Sequence, residues 1–92
     1  MPRLPSYELP LTLNYLPEAK KELGKMDPYE AKAIINGLEE FAVTGTPRPK
    51  PLHGSFRKLS RLRFGSKRVI IELKGNLCKV LGVENRDKVY KR

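Results

Sequence analysis

Between residues 27 and 44, apolar side chains recur at three- and four-residue spacing, and between 58 and 83 they recur at two. This change of period constrains the fold more than any other feature, because a chain that carries both must lay helix against sheet. The helical stripe is Ala31, Ile34, Ile35, Leu38, Phe41 and Ala42. Asp27-Pro28-Tyr29-Glu30 opens it with a capping carboxylate, a proline suited to the first helical position and a glutamate placed to reach back. Gly45 closes it. The second half reads as strand over 58–64 (KLSRLRF), a Gly65-Ser66 turn, a central strand over 67–73 (KRVIIEL), a tight turn at Lys74-Gly75-Asn76 and a strand over 77–83 (LCKVLGV).

An earlier strand precedes the helix. Tyr7, Leu9, Leu11, Leu13 and Tyr15 alternate with Glu8, Thr12 and Asn14, and Pro10 suits an edge position. Pro17 then opens a first helix with Ala19, Leu23 and Met26 on its apolar side. So short a break before Asp27 predicts an antiparallel two-helix hairpin. The alternate prolines of Thr46-Pro47-Arg48-Pro49-Lys50-Pro51 read as an extended loop. Neither flanking half can bury a core alone, so residues 1–92 form a single domain. The expected class is α+β in the order β-α-α-β-β-β: an N-terminal strand, the hairpin, then a mainly antiparallel sheet with the helices on one face, followed by a polar tail.

The charge is divided along the chain. Residues 1–46 hold 5 basic and 7 acidic side chains, a net of −2, and residues 47–92 hold 14 basic and 3 acidic, a net of +11. A basic surface segregated in this way suits a polyanionic partner: nucleic acid, an anionic membrane or an acidic protein. The single cysteine, Cys78, excludes an internal disulfide and a cysteine-built zinc site. No metal and no cofactor are expected. No run approaches the roughly 18 apolar residues of a membrane span. Residues 1–5 lack the apolar stretch of a secretory leader, so the expected location is the cytoplasm.

Alternation places Leu59, Arg61 and Arg63 on one face of their strand and Ser60 and Leu62 on the other. On the next strand Arg68 shares a face with Ile70 and Glu72. Pairing through the Gly65-Ser66 turn brings Arg63 and Arg68 together, with Arg61 one step along. Arg86 and Tyr90 then arrive from the tail. Guanidinium forks match phosphate oxygens, and a phenol can stack on a base or move a proton. The alternative is a solvated strand face whose charges oppose edge aggregation. His53 reads as a loop residue, Cys78 as core and Glu72 as a partner for arginine.

This order of elements resembles the RelE/ParE superfamily of toxins from type II toxin–antitoxin pairs. The resemblance is carried by YLPEAKKEL at 15–23, PLHG at 51–54, LSRLRFGSKRVIIE at 59–72 and VENRDKVY at 83–90. It implies a ribosome-dependent mRNA endonuclease that works in the ribosomal A site by attack of a 2′-hydroxyl on the adjacent phosphate. Arg61, Arg68, Arg86 and Tyr90 are its implied catalytic residues, with Lys58, Arg63, Lys67 and Lys88 contacting mRNA or ribosomal RNA. Leu59 stands where relatives carry a second basic residue, and Asn85 where they often carry histidine. ParE-like members of the superfamily poison DNA gyrase instead, without nuclease activity. Either reading implies a cognate antitoxin with an acidic or amphipathic helix. Arginine and tyrosine are poor bases near neutral pH, so the nuclease reading leaves its general base unassigned.

Overall fold

The computed structural model describes residues 7–52 and 58–85. Six elements follow one another: β1 (Tyr7–Tyr15), α1 (Pro17–Lys25), α2 (Pro28–Thr44), β2 (Lys50–Pro51), β3 (Leu59–Phe64) and β4 (Lys67–Asn85). The strands form one sheet in the order β1-β4-β3-β2. β2 and β3 pair antiparallel, as do β3 and β4. β1 runs parallel to β4, pairing with Gly75 and with residues 77–80. The fold is α+β, as expected, with a sheet that is mixed and antiparallel in two of its three pairings.

β4 merges the two strands expected at 67–73 and 77–83. Its 19 residues would stretch about 60 Å if straight. The longest axis of the molecule is 32 Å, so the strand has to turn sharply within its length. Gly75, at φ 60°, follows the part that pairs with β3 and is the first β4 residue to pair with β1, opposite Tyr7, where the sequence predicts a turn. An L side chain there would be strained.

Asp27, Pro28 and Gly45 cap α2 as the sequence implies, whereas Glu30, expected to reach back to the cap, turns to Lys67. Asp27 accepts from the Tyr29 backbone N–H at 2.8 Å, and Pro28 occupies the first helical turn. Gly45 ends the helix in the left-handed region and donates its N–H to the Phe41 carbonyl at 2.8 Å. The Glu30 carboxylate lies 3.9 Å from Lys67 Nζ. α2 buries Ile34, Leu38, Phe41 and Ala42, and packs mainly on β1. α1 buries Ala19 and Leu23, and packs on β4. The sheet meets the helices with Leu62, Val69, Ile71, Leu73, Cys78 and Val80, all 3% exposed or less. A polar tie joins the layers where Glu22 Oε1 accepts from the Val83 N–H at 2.6 Å.

Two local expectations change. Leu9 is 44% exposed while Leu11 is buried, because the β1–β4 register shifts between Tyr7 and Thr12, around Pro10. Proline has no N–H for the ladder, and β1 lies at the sheet edge where that is tolerated. Residues Lys50 and Pro51, read as loop, add a two-residue strand at the opposite edge, paired with Arg61 and Ser60. Gly37 lies inside α2 because Phe64 presses on it: a Cβ there would come 2.5 Å from a Phe64 ring carbon.

Candidate functional site: an arginine-walled cavity on the open face of the sheet

The turn at Gly65 and Ser66 sets the register of β3 against β4. Arg63 lies opposite Arg68, Arg61 opposite Ile70 and Leu59 opposite Glu72. Directly opposed residues of an antiparallel pair share a face, so all six point away from the helices. Their neighbours Ser60, Leu62, Val69 and Ile71 are fully buried on the helix side. This is the arrangement that alternation implies for Arg61, Arg63 and Arg68.

Leu52, Leu59, Arg61, Arg68, Ile70 and Glu84 line an open cavity of about 210 Å³. Its apolar lining comes from Leu52, Leu59 and Ile70. Leu52 is held there by the bond from its N–H to the Leu59 carbonyl, 3.0 Å, which extends the β2–β3 ladder. Arg61 and Arg68 supply positive charge. Arg68 is 6% exposed, so its guanidinium belongs to the wall rather than to a mobile surface chain. Its Nη2 lies 4.0 Å from Oε1 of Glu84, a residue on the far part of β4.

The remaining expected site residues are placed as follows. Arg63 is exposed beside Arg68 and flanks the cavity, and Lys58 is exposed in the turn that leads into β3. Lys67 is not gathered with them: it lies opposite Phe64, toward α2, beside Glu30. Glu72 is half-buried on the cavity face. Arg86, Lys88, Tyr90 and His53 lie outside the described residues. Glu84 was missed by sequence reasoning, which took it into the polar tail. Its parity along β4 gives no signal for the contact with Arg68, which depends on the strand's turn at Gly75.

Two buried groups have displaced proton affinities. Cys78 is a core residue, and burial pushes its thiol from 9.0 up to about 12. Burial, with the neighbouring Glu39 and Cys78 charges, raises the Tyr15 phenol above its usual 10.0. Both lie away from the cavity lining, so neither supplies its chemistry. Among the described residues no cluster of three histidine, cysteine, aspartate or glutamate side chains is placed to hold a metal, and no helix is long and apolar enough to cross a membrane.

The fold is RelE-like. A chain of the RelBE2 toxin–antitoxin complex from Mycobacterium tuberculosis superposes with a TM-score of 0.76 at 20% identity, over 85% of this chain and 100% of that one. The archaeal RelE–RelB complex from Pyrococcus horikoshii gives 0.66 at 20% identity, over 85% and 97%. YafQ from E. coli gives 0.62 at 13% identity, over 87% and 98%. No protein-family model matches the chain, and no curated protein matches it in sequence.

Proposed function

We propose that this chain is the toxin of a toxin–antitoxin pair and cleaves translated mRNA on the ribosome. The observation that carries the reading is the cavity that holds Arg61 and Arg68 on the open face of a RelE-like sheet. The two guanidiniums bind the scissile phosphate and stabilise the charge that builds on it during in-line attack by the 2′-hydroxyl. Leu52, Leu59 and Ile70 offer an apolar seat for the adjoining ribose or base. Arg63 and Lys58 extend the positive surface along the strand of RNA, as backbone contacts without sequence preference. Arg86 is assigned a second phosphate contact, Tyr90 proton transfer or base stacking, and Lys67 and Lys88 contacts to ribosomal RNA.

At about 210 Å³, the cavity is below the usual size of a small-molecule pocket. It suits one phosphate and its sugar rather than a self-sufficient substrate cleft. Alignment of the RNA is therefore left to the ribosome, and the proposed location is the cytoplasm. An antitoxin with an acidic or amphipathic helix is the proposed protein partner, matched to the net +11 of residues 47–92.

Induced expression with primer-extension mapping of mRNA, run beside a gyrase supercoiling assay, tests the reading. New 5′ ends inside translated frames with supercoiling intact are expected. Intact mRNA with blocked supercoiling would overturn the nuclease and point to gyrase as the target.

A further inference from the structure

The cavity contains a carboxylate that the phosphate-binding role does not use. Among the described residues that line it, Leu52, Leu59, Arg61, Arg68, Ile70 and Glu84, only Glu84 can act as a Brønsted base near neutral pH. Its side chain is 44% exposed while that of Arg68 is 7% exposed. The arginine is thus fixed in the wall, and the carboxylate stands where cavity meets water. The backbone just before it is tied down, since the Val83 N–H donates to Glu22 Oε1 at 2.6 Å. We infer that Glu84 is the general base of the cleavage, taking the proton from the attacking 2′-hydroxyl; this rests on the nuclease reading above and fills its missing role.

The distances suit the step. A phosphate oxygen sits about 2.8 Å from a guanidinium nitrogen that binds it. An attacking oxygen poised for reaction sits about 3–3.5 Å from the phosphorus. A carboxylate 4.0 Å from Arg68 Nη2 is therefore within reach of a 2′-hydroxyl next to a phosphate held by Arg68. The charged groups that line the cavity with it, among the described residues, are Arg61 from β3 and Arg68 from β4. As the 2′-oxygen forms its bond to phosphorus, its proton passes to a Glu84 oxygen. The bond from phosphorus to the 5′-oxygen breaks, and that oxygen takes a proton from water. The products are a 2′,3′-cyclic phosphate and a 5′-hydroxyl, and Glu84 returns its proton to solvent. Nothing is oxidised or reduced.

Single-turnover cleavage of mRNA on programmed ribosomes tests this, with a 2′-deoxy substitution at the cleavage position to measure binding separately. For Glu84→Gln, binding of the deoxy substrate is expected to stay within about threefold, and cleavage to fall on the order of 100- to 10,000-fold. A fall of rate toward acid pH is expected in the wild type and should be absent from Glu84→Gln, and Glu84→Asp should recover part of the rate. If glutamine disturbs the fold, Glu84→Ala with added formate serves instead, and restored cleavage supports the base. Wild-type cleavage and pH profile in Glu84→Gln, or formate without effect on folded Glu84→Ala, overturn the assignment while leaving the nuclease intact. A wild-type protein that leaves ribosome-bound mRNA uncut overturns both.

Discussion

Replacing Arg68 separates its chemical work from its structural work. The side chain is buried to all but 6%, yet the carboxylate it meets, Glu84, is 44% exposed. Removing one member of a fully buried pair costs about 3–5 kcal/mol, because the other is left charged and dry. Here Glu84 keeps contact with water, so that penalty does not arise. The pair itself, at 4.0 Å and half in solvent, contributes about 1 kcal/mol or less. Arg68→Met keeps most of the buried stem, so loss of the Glu84 pair should lower its stability by no more than about 1 kcal/mol. Arg68→Ala also loses two buried methylenes, Cγ and Cδ, for a total of about 1.6–2.6 kcal/mol at about 0.8 each. On the scale of a domain this size, 1 kcal/mol shifts Tm by about 4–8 °C. Cleavage on the ribosome should fall about 100- to 1000-fold in both variants, equivalent to roughly 2.7–4 kcal/mol of lost transition-state stabilisation. Melting curves and single-turnover rates on the two variants read these quantities apart. A folded Arg68→Met protein that cleaves at the wild-type rate would refute the role given to this arginine. Unfolding of Arg68→Met would refute the stability argument.

Three further outcomes follow from the packing. Gly37→Ala gains about 1 kcal/mol of helix propensity but drives a methyl to 2.5 Å from the Phe64 ring, which costs about 1–3 kcal/mol; a net loss is expected in urea titration, and Phe64→Leu in the same chain should recover part of it. Cys78 holds its proton to about pH 12 when folded but to about 9 when unfolded, so its stabilising contribution is complete below pH 9 and is lost as pH rises toward 12. The slope is at most about 1.4 kcal/mol per pH unit, and Cys78→Ala should remove it between about pH 9 and 10, before the raised Tyr15 phenol adds a slope of the same sign. Glu22→Ala removes the acceptor of the Val83 N–H and should cost about 1.5–3 kcal/mol by denaturant titration, with Glu22→Gln recovering much of it because an acceptor oxygen remains.

The legible parts of this molecule are those fixed by local periodicity. Asp27, Pro28 and Gly45 bracket α2 because their conformational preferences act within one turn. The shared face of Arg61, Arg63 and Arg68 follows from two-residue alternation on either side of a two-residue turn, which leaves one register open to the pair. The parts that were not legible depend on which strands become neighbours. Alternation alone puts Leu9 with Leu11, but the missing N–H of Pro10 shifts the β1 register, and Leu9 emerges. Lys50 and Pro51 become a strand only because β3 offers them an edge. Lys67 adjoins Arg68 in sequence but turns toward α2, to Glu30. Glu84 is 16 positions from Arg68 and meets it only because β4 turns within its length.

Purified protein acting on one mRNA, free in solution and positioned on ribosomes, gives the most direct test of the account. Wild type should cut the ribosome-bound message and leave the free RNA essentially intact, and a folded Arg61→Ala/Arg68→Ala variant should cut neither. Cleavage of the bound message at an undiminished rate by that double variant would contradict the claim that this cavity is the site of the chemistry.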